Sequence, residues 1–245
     1  MILTYGNSQT GLVRKCNEDS ISLVQPGLYV LADGMGGYEG GQIASSLAVE
    51  SVSEFWKRDV KEDVSEDILK EAVLYANEAI LNRKKEDTAL ASMGTTLVVA
   101  ALSNKQIFWA HVGDSRIYVW NAENFRQVTV DHSFVMELVE QGKLSREAMR
   151  FHPRKNEITR AVGIDASLRV DAGSLAIEEG SLLLLCSDGL TGMLSDEEIN
   201  AILTTSPKAC QKDLDSLGNQ LMEKVYLAGA KDNVSFILVQ FNTVE

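Results

Sequence analysis

Seven stretches of the chain are apolar runs or alternate between apolar and polar positions, the patterns of strands that bury one or both faces. They are LYVLA (28–32), TTLVVAAL (95–102), QIFWAHV (106–112), RIYVW (116–120), FRQVTV (125–130), SLLLLC (181–186) and VSFILVQF (234–241). Only SNK separates the second run from the third, and GDS the third from the fourth. Gaps this short require antiparallel hairpins, because a parallel crossover needs about a dozen residues or more. The longer gaps carry helical periodicity. Ala44, Ala48, Val52 and Phe55 form one stripe and Ile68, Ala72, Ala76 and Ala79 another, each the core face of a helix. Ser195 followed by Glu198 is a capping box, and Ser206-Pro207 reads as a cap and first-turn proline ahead of the stripe Leu214, Leu217, Leu221. Helix pairs around antiparallel strands predict an α/β sandwich, with no linker-like or low-complexity segment to divide residues 1–245.

The first strand runs into VLADGMGG (30–37). Asp-Gly is a strong turn signal, so the strand is expected to stop at Asp33 and turn there. The same event recurs. Asp114 follows FWAHVG, Asp188 follows LLLLCS and Asp232 precedes NVSFILV. Four apolar strands thus carry an aspartate at one end. Carboxylates gathered at one sheet edge repel unless a cation neutralises them, and hard oxygen donors of this kind select Mg²⁺ or Mn²⁺. Two such ions hold and acidify a water and clamp phosphoryl oxygens.

Composition narrows the field. Hydrophobic residues make up 45% of the 245 and charged residues 24%, an ordinary globular balance. The longest apolar runs are far too short to cross a bilayer, and the first residues lack the basic and apolar regions of a secretion signal, so a cytoplasmic protein is expected. With 35 acidic against 23 basic residues the net charge is −12, which argues against a nucleic-acid binder. Cys16, Cys186 and Cys210 form no CxxC pair, so neither a disulfide framework nor a zinc site is expected. The glycines after Asp33 do not space as GxGxxG and no GK[ST] follows, so they are read as backbone approaching a cation, with the carbonyl of Gly34 as a ligand. In RKCNEDS (14–20), Arg14 offers a planar fork for phosphate, while Glu18 and Asp19 are suited to hold a water beside the metals or to orient the arginine.

These residues recur in a known order. RKCNEDS (14–20), ADGMGG (32–37), MGTT (93–96), HVGDSR (111–116), DHS (131–133), HPRKNEITRAVG (152–163), CSDGL (186–190) and KDNVS (231–235) resemble the motifs of bacterial protein phosphatase 2C (PPM) enzymes, metal-dependent serine/threonine phosphatases. The resemblance covers roughly residues 4 to 241. It implies an α-β-β-α sandwich of two antiparallel sheets and a dinuclear Mn²⁺/Mg²⁺ centre at one edge. Asp33 would bridge both metals, Gly34 would bind one through its carbonyl, and Asp188 and Asp232 would complete the main site. Asp114, sharing Asp188, resembles the ligand of a third ion. Arg14 would hold the substrate phosphate, Glu18 a water beside the metals, and Asp19 would support them from behind. Arg14 and Asp33 are the expected catalytic pair.

The implied activity is hydrolysis of phosphoserine and phosphothreonine in proteins, with a cognate Ser/Thr kinase as counterpart and a monomeric enzyme. A catalytically dead phosphoprotein-binding fold and a two-metal hydrolase of small phosphoesters are the alternatives; the first usually loses metal aspartates, and this chain keeps all four. Met35 stands where eukaryotic relatives carry a histidine able to protonate a leaving alkoxide, so the proton donor is left open. His111, His132 and His152 read more readily as structural than as acids. Residues 141–160 correspond to the family's flap. Between 143 and 160 it gathers Lys143, Arg146, Arg150, Arg154, Lys155 and Arg160 against two glutamates, readable as a solvated helix or as a landing surface for acidic phosphoprotein segments.

Overall fold

A computed structural model describes residues 1–24, 27–37, 39–59, 64–103 and 105–242. Its elements in chain order are β1 (Ile2–Gln9), β2 (Asp19–Val24), β3 (Leu28–Met35), α1 (Gly40–Asp59), α2 (Glu66–Glu86), β4 (Gly94–Thr95), β5 (Leu97–Ser103), β6 (Gln106–Val112), β7 (Arg116–Trp120) and β8 (Phe125–Gln127). There follow α3 (Phe134–Glu140), α4 (Arg146–Met149), β9 (Asp171–Ala176), β10 (Leu182–Cys186), α5 (Asp188–Thr191), α6 (Asp196–Thr205), α7 (Gln211–Leu227) and β11 (Val234–Phe241).

The strands form two antiparallel sheets, one ordered β1-β11-β10-β7-β8 and the other β2-β3-β5-β6-β9 with the short β4 added to β3. Alternation along the central strands builds three apolar layers. Leu28, Val30 and Ala32 of β3 join Leu97, Val99 and Ala101 of β5 under α1 and α2. Leu182, Leu184 and Cys186 of β10 join Phe236 and Leu238 of β11 under α6 and α7. The residues between them, Tyr29, Leu31, Val98, Leu183, Leu185, Ile237 and Val239, meet between the sheets. The result is the expected α-β-β-α sandwich, and it explains why its central strands read as unbroken apolar runs: both of their faces are buried.

Several local expectations are corrected. β1, β2 and β9 have no apolar run to announce them, and each lies at a sheet edge with mostly half-exposed residues. The run at 95–102 is broken at Thr96, leaving β4 and β5, and the run at 125–130 keeps strand geometry only to Gln127, beyond which the Thr129 hydroxyl, in place of a backbone carbonyl, accepts the Ile117 N–H. In α2 the buried stripe is Leu69, Ala72, Val73, Ala76 and Ile80, one position on from the expected Ile68 and Ala79. The Ser195–Glu198 capping box is present. Ser206, by contrast, ends α6, and α7 starts at Gln211 behind Cys210; Pro207 sits in the connection, although Leu214, Leu217 and Leu221 are buried as expected. Strand β3 does not stop at Asp33. It continues through Gly34 and Met35 against β4, and the turn follows at Gly36 and Gly37, both at positive φ.

Candidate active site

The four strand-end aspartates come from separate parts of both sheets to the walls of one cavity. Asp33 lies on β3, Asp114 in the β6–β7 turn, Asp188 at the first residue of α5 after β10, and Asp232 just before β11. They line a space of about 540 Å³ together with Arg14, Glu18, Gly34, Met35, Thr96, Asn156, Ile158 and Asn233. All four are half-buried. Seven of the eight residues singled out in the sequence therefore meet at one place. The eighth, Asp19, lies behind it, buried beside Asp33 in the β2–β3 register. There its Oδ2 accepts the Ser187 hydroxyl at 2.9 Å, while Oδ1 is buried without a hydrogen-bond partner among the described residues.

The electrostatics follow from this crowding. Burial first, then the charges of Asp19, Asp188, Asp114 and Asp232, push the Asp33 carboxyl well above the ordinary range. Asp114 and Asp188 are raised by the same causes, burial ahead of their acidic neighbours. The nearby arginines are already engaged. Arg116 is held bidentately by Asp131, with Nε–Oδ1 at 2.9 Å and Nη2–Oδ2 at 2.7 Å. Arg14 donates through Nε and Nη2 to the two oxygens of Asp232, both at 2.8 Å, and its nearest approach to Glu18 is 3.8 Å. Arg14 is thus oriented mainly by Asp232; of the two roles the sequence leaves open for Glu18 and Asp19, orienting the arginine falls to Glu18 only at 3.8 Å and to Asp19 through no ion pair among the described residues. Asp33, Asp114 and Asp188 have no such partner among the described residues.

Backbone packing fits the same picture. A Cβ on Gly34 would lie 2.0 Å from the Gly41 oxygen and 2.6 Å from that of Glu18, so only glycine lets β3 pass this close to the first turn of α1 and to the loop before β2. On Gly189, after Asp188, a Cβ would lie 1.8 Å from the Asn233 oxygen.

Three residues carry more of the site than their sequence signal suggested. Thr96 accepts the Asp33 N–H through its hydroxyl at 3.0 Å, donates its own N–H to the Asp33 carbonyl at 2.8 Å and shares a hydrogen bond with Ser115. Thr95 donates its hydroxyl to the same carbonyl at 2.8 Å. Asn233 donates to the carbonyls of Thr10 and Cys16 and accepts the N–H of Glu18, tying the Arg14 loop to the foot of β11. The MGTT and KDNVS strings contained these residues; nothing in residue type alone distinguished them from strand and turn positions.

No histidine lines the cavity. His132 accepts the Gly113 N–H at Nδ1 and faces Asp171 through Nε2 at 3.3 Å, while His111 bonds the Val130 carbonyl. His152 accepts the Arg154 N–H on the flap. The flap itself is mostly turns around the single-turn α4 rather than a solvated helix. Within it Arg154 is held by Glu157 and stacks over Phe134, and Arg160 pairs with Asp171.

The donor set suits hard divalent cations. It consists of carboxylate oxygens whose mutual repulsion a cation relieves, a glycine where backbone approaches closely, and an orphaned carboxylate oxygen behind. Among the described residues no three His, Cys, Asp or Glu side chains are already set to enclose an ion, in keeping with Asp232 spending both oxygens on Arg14.

Comparison with known proteins agrees with the fold and the motifs. The family model for protein phosphatase 2C matches residues 13–224. The serine/threonine phosphatase stp of Listeria innocua is 35% identical over 243 residues, covering 96% of this chain and 94% of its own. The serine/threonine phosphatase PstP/Ppp of Mycobacterium tuberculosis superposes with a TM-score of 0.89 at 30% identity, covering 99% of both chains. The catalytic domain of PstP, solved in complex with two manganese ions, superposes with a TM-score of 0.87 at 30% identity over 99% of both chains. Fold, motif order and relatives converge: this chain belongs to the protein phosphatase 2C family.

Proposed function

We propose that the protein is a metal-dependent phosphatase that hydrolyses phosphoserine and phosphothreonine in proteins. The observation that carries this reading is the meeting of Asp33, Asp114, Asp188 and Asp232 with Arg14 in one open cavity. Its relatives are named serine/threonine phosphatases, and one was solved with two manganese ions. In this reading Asp33, the Gly34 carbonyl, Asp188 and Asp232 would hold two Mn²⁺ or Mg²⁺ ions, and Asp114 with Asp188 would hold a third. When bound, the ions acidify the attacking water and offset charge on the phosphoryl oxygens.

The chain's own residues do the rest. Arg14 binds the phosphoryl group with its planar fork and stabilises the charge that develops there. The edge formed by its Nε and Nη2 is already taken by Asp232, so presenting that edge to phosphate competes with Asp232. Glu18, at the cavity wall beside Arg14, orients water by accepting its proton in a hydrogen bond. Asp19 supports Asp33 and the Ser187–Asp188 turn from behind. Met35 carries no proton and no histidine faces the cavity, so solvent in this open site protonates the leaving alkoxide.

We further read residues 1–245 as one phosphatase domain with a flap at about 141–160, supported by the core shared between the sheets. Among the described residues no helix is long and apolar enough to cross a membrane. A cytoplasmic monomer opposing a Ser/Thr kinase is the setting this reading proposes. The test is Mn²⁺-dependent phosphate release from a phosphothreonine peptide by the wild type and by Asp33→Asn and Asp188→Asn. Both substitutions are expected to abolish turnover, and retained turnover refutes the dinuclear reading.

A further inference from the structure

The structure divides the basic flap into engaged and unengaged cations. Arg154 and Arg160 are spent on Glu157, Phe134 and Asp171, and Lys143 donates to Gln141. The Arg146 side chain is without an ion pair or hydrogen bond among the described residues but lines a different cavity, toward α6; the side chains of Arg150 and Lys155 also form neither, Arg150 having the field of Glu197. Both line a second cavity, of about 90 Å³. It shares Asp114, Asn156 and Asp188 with the larger one, so the two are neighbours across a common wall. Val135 and Met149 supply apolar surface, and Thr191 and Gly192 close the side toward α5.

Size and charge define what fits. The volume is about that of three liquid waters, room for the head of one short side chain. Arg116 and Asp131, also in its wall, neutralise each other. Arg150 and Lys155 of the flap then balance Asp114 and Asp188 in the same wall, and once those aspartates are spent on metal, as the phosphatase reading has them, the two flap cations are in excess. An extended peptide advances about 3.3 Å per residue and alternates its side chains. With the phosphoryl group in the larger cavity, the side chain one or two residues away reaches the smaller one.

We propose that this second cavity is a subsite for a carboxylate side chain, Asp or Glu, one or two residues from the phosphorylated position, with Arg150 and Lys155 as its specificity-determining residues. The inference rests on the phosphatase reading above and adds to it a substrate preference. Asp114 and Asp188 line the same space but are assigned to metal in that reading, which leaves Arg150 and Lys155 as the charges that discriminate a flanking acid. With them, a flanking acid gains two partly screened ion pairs.

The experiment uses the full chain with Mn²⁺ and a phosphothreonine peptide series carrying Glu or Ala at each of the two positions on either side, with an aryl phosphate as a reference lacking flanking residues. At one or more positions kcat/KM for the Glu peptide is expected to exceed that for the Ala peptide about five- to tenfold. The doubly substituted Arg150→Gln, Lys155→Gln protein is expected to bring that ratio to about one, and Lys155→Glu to favour a Lys-flanked peptide instead. Both residues are exposed, so these variants retain the fold. A ratio near one at all four positions in the wild type, or a preference that survives in the double variant, overturns the subsite while leaving the phosphatase intact. Absence of Mn²⁺-dependent turnover of every peptide and of the aryl phosphate overturns the phosphatase reading and the subsite with it.

Discussion

Arg14 grips Asp232 through both carboxylate oxygens, at 2.8 Å each. A residue suited to bind phosphate and a residue suited to bind metal are thus each other's partner, and Asp232 is the first reason the Arg14 guanidinium is held above its usual range. Removing either one changes what the other is free to do.

Arg14→Ala is therefore expected to act in opposite directions on two measurements. Loss of a bidentate, charge-assisted contact to the phosphoryl group lowers kcat/KM on a phosphopeptide by about 10²-fold, roughly 3 kcal/mol. Freed from its guanidinium, Asp232 binds Mn²⁺ more tightly, visible by calorimetric titration. Weaker Mn²⁺ binding in Arg14→Ala would show that the two residues do not compete.

Asp33→Asn should stabilise the metal-free protein. Asp33, Asp114 and Asp188 bind their protons more tightly in the fold than in the unfolded chain, so charging them costs stability as pH rises through their folded pKa values. In EDTA at pH 8 the Tm of Asp33→Asn is expected to exceed that of the wild type by a few degrees. Mn²⁺ is expected to raise the wild-type Tm by linkage and to leave the variant nearly unmoved.

Thr96→Val tests the support of Asp33 from behind. The swap keeps the shape of the side chain but leaves the Asp33 N–H without its acceptor and Ser115 without its partner. Unfolding in urea is expected to show a loss of about 1–3 kcal/mol. A loss of Mn²⁺ affinity should accompany it, because the Asp33 backbone is then held only by its carbonyl contacts.

His132 gives a pH signature. Burial, assisted by His111 and Arg160, lowers its pKa to about 4, below the ordinary imidazole value. Protonation at Nδ1 would also break the bond from the Gly113 N–H. Between the unfolded and folded values the unfolded chain binds the extra proton, so the histidine's contribution to stability is complete above about pH 6.5 and is lost as pH falls toward 4. The difference in urea midpoint between wild type and His132→Gln should shrink over that window; a constant difference would contradict the assignment.

Much of the architecture was legible because the central strands β3, β10 and β11 are buried on both faces, which leaves an unbroken apolar run with a conspicuous charged end. Those ends are Asp33, Asp188 and Asp232, and the repetition itself was the signal. Edge strands β1, β2 and β9 give no such run, because water replaces one neighbour and polar residues serve as well there. Thr96 and Asn233 were hidden for another reason: their importance lies in which backbone groups they bond, and residue type does not record a partner 63 or 223 positions away.

The sequence by itself determined the order of the strands' apolar runs, the aspartates that end them, the glycines that admit close backbone approach, and through the motifs the family. Local chemistry suffices for these, since burial and turn geometry are written residue by residue. Only the tertiary structure decided that Arg14 grips Asp232 more closely than Glu18, that β3 carries Asp33 and Gly34 in a continuing strand, and that among the described residues Arg150 and Lys155 have no ion pair beside a second cavity while Arg154 and Arg160 do. Each of these is a choice among several nearby partners of like chemistry, and such choices are settled by distance and burial after the sheets have packed.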